Sequence, residues 1–170
     1  MAVTTDQKIV RYGTGDKDEP IAKGIKANAQ LYRGTLAVTD STGVLKDPFG
    51  AVATTDTCWG MLQKYATGCG QIDGAPGMKG GSVDGVVGGV GTSAEIEQGA
   101  FFLGSSTGGD QLSVATEGTT VYIYDGITVA ATNGGSTRSP AGKHVATEKV
   151  QGVTMFAIKL GNNQSTGGGF

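Results

Sequence analysis

The chain has 170 residues, with 31 glycines but only 4 prolines, so it is long enough for one domain with its own core and is neither collagen-like nor a proline-rich linker. With 13 Lys and Arg against 15 Asp and Glu, the formal charge of −2 offers no long-range attraction to nucleic acid or anionic lipid, which disfavours both as partners. No apolar run approaches the ~20 residues of a bilayer span, and MAVTTDQKIV lacks the layout of a secretory signal, so the expectation is a soluble protein.

Residues 1 to 26 hold nine of the 28 charges in a stretch broken by Gly13, Gly15 and Pro20, and read as an N-terminal arm. Its composition suits a solvated, partly disordered terminus, and the alternative is that Lys8, Ile9, Val10, Arg11 and Tyr12 form an extended strand that lies on a partner subunit. A β-domain is expected over 27–160, with a flexible C-terminal tail over 161–170. QLYRGTLAVTDSTGVLK, residues 30 to 46, predicts a hairpin: Leu36 and Val38 on one strand, a turn at Asp40-Ser41-Thr42-Gly43, Val44 and Leu45 on the return. DTCWGMLQKYAT, from Asp56, is ambiguous because Trp59, Leu62 and Tyr65 also fit a helical spacing; Gly60 tips it toward a strand.

From Gly68 to Gly91 ten of 24 residues are glycine, and without a fixed period the segment reads as a surface insertion. EIEQGAFFL, residues 95 to 103, predicts one strand with Ile96 and Gln98 on one face, Glu95 and Glu97 on a solvated other, and a bulge at Gly99. Gln111 to Val114 is a further strand signal. VYIYDGITVAA, residues 121 to 131, places Asp125-Gly126 as a two-residue type I′ turn, setting Tyr124 opposite Ile127 and Tyr122 opposite Val129. Asn133-Gly134-Gly135 and Ser139-Pro140-Ala141-Gly142 mark connections before strands at Lys143 to Val150 and Val153 to Leu160. The spacing is that of an all-β domain, a sandwich or small barrel.

Chemistry is thinly encoded. Gly104-Ser105-Ser106-Thr107-Gly108 is a literal G-x-S-x-G followed in order by Asp125 and the only histidine, His144, but no helix follows to lift the serine above a parallel sheet. Gly89-Val90-Gly91-Thr92-Ser93-Ala94 matches a loose dinucleotide fingerprint without the βαβ unit that would confirm it. Cys58 and Cys69 have no further ligand at metal spacing and read as two small buried side chains, with a bridge left open; His144 reads as a surface or interface residue. The expectation is a non-enzyme with no cofactor and no metal.

Taken in order, four segments resemble the head-decoration, or capsid cement, proteins of tailed bacteriophages. They are Leu31-Tyr32-Arg33-Gly34-Thr35-Leu36-Ala37-Val38 with its turn to Gly43, Gln98-Gly99-Ala100-Phe101, the run from Val121 to Val129, and Ala141-Gly142-Lys143-His144-Val145-Ala146 leading to Met155-Phe156-Ala157-Ile158. The similarity covers roughly residues 27 to 160; the charged arm and the glycine-rich segment depart from it. The resemblance implies a structural virion protein, made in the bacterial cytoplasm. It would sit on the outer surface of the expanded capsid and stabilise contacts between major capsid subunits. It also implies a homo-oligomer, a trimer by that likeness; within such an assembly the arm's Lys8, Arg11 and Tyr12 are the expected partner-binding residues, read from the arm itself and not from the likeness. An adhesive or receptor-binding tail component is the alternative.

Overall fold

The computed structural model describes residues 12, 21–26, 29–48, 54–65, 86–87 and 93–161. The protein is all-β. Its strands are β1 (Ile21–Gly24), β2 (Gln30–Leu31), β3 (Leu36–Thr39), β4 (Leu45–Lys46), β5 (Thr57–Tyr65), β6 (Val86–Val87), β7 (Ser93–Glu97) and β8 (Gly99–Ser105). They continue as β9 (Thr120–Ile123), β10 (Thr128–Ala130), β11 (Pro140–Val150) and β12 (Val153–Leu160), with single 3-10 turns at Gly108–Asp110 and Val114–Thr116.

Two rolled sheets pack side by side. One is a closed barrel in the order β10-β8-β12-β11-β9, antiparallel except where β10 runs parallel to β8. The other is a five-stranded sheet, β1-β7-β5-β3-β4. Its outer strands are drawn together just past the end of β1, where Ile25 bridges Leu45 and the Lys26 N–H donates to the Leu45 carbonyl at 2.8 Å. Curling both sheets leaves little strand edge open, which limits unwanted pairing. β2 and β6 form a separate two-stranded pair.

Alternation along β3 sets which core each residue enters. Leu36 and Val38 join the barrel core of Phe101, Leu103, Val121, Ile123, Val129 and Ile158, while Ala37 turns to a second core with Ile25, Leu31, Leu45, Leu62, Ala94 and Ile96. On β5 the partners of Leu36 and Val38 are Met61 and Cys58, an odd separation that strict alternation would place on opposite faces. The extra residue Trp59 resolves this as a bulge, and Cys58 and Met61 both reach the barrel core. Gly60 makes the bulge feasible: its φ is +150°, and a Cβ there would lie 2.3 Å from the Glu97 carbonyl oxygen. Trp59 packs against the second core, donates its indole N–H to Thr39 at 2.8 Å and takes the Lys23 ammonium over its ring.

Several expected elements differ. The EIEQGAFFL strand is two strands in two sheets, with the chain crossing at Gln98-Gly99, where Gly99 has φ +131°. Glu97 is accordingly buried instead of solvated. Gln111 to Val114 is not a strand but links the two 3-10 turns and inserts Leu112 into the barrel core. Residues 21–24, assigned to the arm, form β1 of the second sheet, and Pro140 to Gly142 already lie in β11.

The Asp125-Gly126 hairpin has a register one residue away from the expected one: Ile123 faces Val129 and Tyr122 faces Ala130. The Asp125 carboxylate accepts the Ile127 N–H, and the Tyr124 and Asp125 N–H groups both reach the Thr128 carbonyl, which closes the loop on Tyr124 and Thr128 and lengthens it to three residues. That slip puts Val121, Ile123 and Val129 in the core and leaves Tyr124 half exposed beneath the Arg138 guanidinium. The two-residue type I′ geometry occurs instead at Gln151-Gly152, with φ of +51° and +82°, between Val150 and Val153.

Candidate interaction surface

The residues of the hydrolase-like motif are held apart by structural bonds. Ser106 is buried, its hydroxyl donating to the Asp110 carbonyl at 2.6 Å and its N–H to Val129 at 2.8 Å. The Ser105 hydroxyl accepts the Leu112 N–H at 2.7 Å. Together these bonds fasten the loop after β8 across one end of the barrel. Asp125 shapes its own hairpin.

His144, expected at the surface, is fully buried with its ring edge-on to Phe156. A bulge at Val145 in β11 brings the Ala146 carbonyl to 3.0 Å from Nε2, and because a carbonyl only accepts, Nε2 carries the proton. Nδ1 meets the Thr116 hydroxyl at 3.0 Å, so the imidazole ties β11 to the second 3-10 turn. A polar ring is tolerated in the core because both nitrogens are satisfied.

Of the dinucleotide-like run, residues 89 to 92 lie outside the described residues, and Ser93 and Ala94 open β7. Cys58 is a free thiol that burial pushes up to about 12, which makes it unreactive near neutrality; Cys69 lies outside the described residues. Among the described residues no three His, Cys, Asp or Glu side chains converge as metal ligands, and no helix is long and apolar enough to cross a membrane.

Of the three partner-binding residues expected from sequence, Lys8 and Arg11 lie outside the described residues. Tyr12 is half-buried on its own barrel: its N–H donates to Ala100 of β8 at 2.9 Å and its ring stands edge-on to Phe102 at 5.5 Å.

Two carboxylates anchor loops. Asp110 accepts the Thr132 hydroxyl and the Arg138 guanidinium, which hold its carboxyl below the usual aspartate range. The Thr42 hydroxyl and then the Lys26 ammonium hold Asp40 well below its ordinary value of 3.8. The folded state therefore binds this proton less readily than the unfolded chain. The stability Asp40 adds is complete above about pH 5 and is lost as the pH falls through the lower folded value. Because Lys26 is half exposed, the contribution is screened and on the order of 1 kcal/mol. Asp40→Asn is expected to flatten the fall of melting temperature between about pH 5 and pH 2; parallel acid limbs for the two proteins would exclude it.

Three of the exposed apolar side chains lie on the second 3-10 turn and on the β11–β12 hairpin. Val114, on the second 3-10 turn, is 68% exposed, and Val150 and Val153 stand at the tip of the β11–β12 hairpin. From Glu148 to Thr154 every residue of that hairpin is exposed, so it projects beyond the barrel. Nothing in the sequence marked the projection except the length of its two strands. Under it runs an open groove of about 500 Å³ with Phe156 and Leu112 among its walls and Val114 at its lip. Comparison with protein-family models, with curated proteins and with solved structures found no match.

Proposed function

We propose that the protein is a non-enzymatic structural component of a bacteriophage virion, binding the outer surface of the expanded capsid and stabilising contacts between major capsid subunits. The observation that carries this reading is the ordered set of four strand motifs, from Leu31-Tyr32 to Phe156-Ala157-Ile158. Two features accord with it. The serine, aspartate and histidine of the one catalytic-looking motif are each committed to separate structural bonds, and the exposed apolar residues project from a rigid all-β body. Self-association into a trimer would let weak contacts at several shell subunits act together, because once one contact forms the others become intramolecular. Of the arm residues, Lys8 and Arg11 contribute further contacts to the shell or to a neighbouring copy, while Tyr12 lies on its own barrel.

Mixed with expanded, undecorated capsids of its own phage, the protein is expected to co-sediment saturably, and with unexpanded proheads it is not. Removing residues 1 to 11, which leaves Tyr12 on β8, should lower occupancy while the melting temperature is unchanged. Absence of binding to either shell would sink the cement reading and bring forward an adhesive tail component.

A further inference from the structure

Among the described residues, the ladder of the closed barrel ends short of the β11–β12 hairpin tip. β12 pairs with β8 as far as Phe156 and Leu103; β8 then leaves it, and Gly104 and Ser105 pair with β10. Thr147 turns its N–H away from β12 to the Glu117 carboxylate at 2.7 Å, so the Thr147–Phe156 pair directs its main-chain groups outward. Two residues on, Lys149 and Thr154 do the same by the period of the strand. On the β11 side, Glu117 caps the edge at Thr147. On the β12 side, the edge at Thr154 is open, and no described strand pairs with it.

The open edge coincides with the groove. Thr154, Phe156, Thr147 and Ser105 belong to its walls together with Leu112 and Val114, and none of the residues lining it carries a charge. An open main-chain edge is complemented by another extended chain, and a neutral wall of hydroxyl and apolar groups disfavours charged side chains on that chain because they would be desolvated without a partner. We infer that this groove receives an extended, uncharged strand of the capsid shell protein, which adds to β12 at Thr154 and sets small apolar or hydroxyl side chains against Phe156 and Leu112. The inference rests on the cement reading for the source of the strand, but not for the chemistry of the groove. It places the principal clamp on the β11–β12 hairpin instead of on the N-terminal arm.

Two arms of an experiment separate these levels. In the first, the intact protein is titrated with the blocked heptapeptide SVTVTVS and with its charged counterpart SVEVEVS, followed by amide exchange and NMR shifts. The neutral peptide should slow exchange at Thr154 and shift Leu112 and Phe156, and the charged one should leave them unchanged. No response at these residues, or an equal response to both peptides, overturns the groove chemistry. In the second, Thr154→Pro, which removes the outward donor, and Val114→Asp, which charges the exposed lip, are tested for co-sedimentation with expanded capsids. Each should weaken binding about tenfold or more, while Ser41→Asp, in the exposed turn between β3 and β4 of the other sheet, should not. Val114 is a surface residue, so its variant tests the groove even if proline disturbs the strand. Wild-type binding that both variants retain overturns the docking inference and leaves the cement reading standing. A wild type that responds to the neutral peptide but ignores capsids overturns the shell protein as the source.

Discussion

Gly142→Ala is expected to destabilise the protein by about 3 to 5 kcal/mol, among the largest losses a single methyl group can cause. A Cβ at this position would lie 2.1 Å from the Lys159 carbonyl oxygen and 3.0 Å from its carbon, both main-chain atoms of β12. β11 cannot swing away, because Gly142 is paired with Leu160 on one side and Val121 on the other, directly after the bulge at Ala141. Relief of the clash therefore requires a barrel strand to shift. Gly43→Ala is the control: Gly43 has φ +81° but open space around it, so it should lose only the backbone preference, about 1 kcal/mol. Urea unfolding of the two variants separates steric from conformational cost, and a Gly142→Ala loss no larger than that of Gly43→Ala would show that the bulge yields freely.

Phe101→Ala is expected to cost about 3 to 5 kcal/mol as well, through lost transfer energy and the cavity left behind. Phe101 is fully buried opposite Ile158, in a core that also takes Leu36, Val38, Cys58 and Met61 from the neighbouring sheet. Because that core is shared, the barrel and the second sheet should weaken together. Amide exchange should rise in β3 as much as in β12, with a single melting transition. Separate transitions, or protection kept in β3, would show that the two rolled sheets are independent units.

How far the structure was legible in the sequence depended on whether a local rule decided the outcome. Asp40-Ser41-Thr42-Gly43 forms the expected turn because its bonds are local: Asp40 accepts from Thr42, and Gly43 takes the positive φ. β5 is a strand in spite of its helical spacing, because Gly60 lets its bulge against β3 sit close to the Glu97 carbonyl on the other side. The misreadings arose where a tertiary contact outweighed a local preference. Asp-Gly suggested a two-residue turn until the Asp125 side chain took the Ile127 N–H, while Gln151, a weak turn residue by type, adopts φ +51° because the paired strands on either side leave room for only two residues. His144 looked superficial because its partners Thr116 and Phe156 lie far along the chain. The candidate groove was not legible at all, since it depends on where β8 parts from β12, and that follows from barrel closure.

Joining β1 to β7 has a consequence for the order of assembly. Ile21 pairs with Ile96, so the second sheet cannot curl shut until the chain as far as Glu97 has left the ribosome, and the glycine-rich stretch must be spanned first. The cost of closing a chain separation grows slowly, by about 0.6 kcal/mol for each doubling, so the distance between the paired strands can drift with little effect on equilibrium stability. Speed is affected more than stability. A ladder between residues this distant gives a high contact order, which places folding in the millisecond-to-second range and leaves β1 waiting as an unpaired segment while the later strands are made.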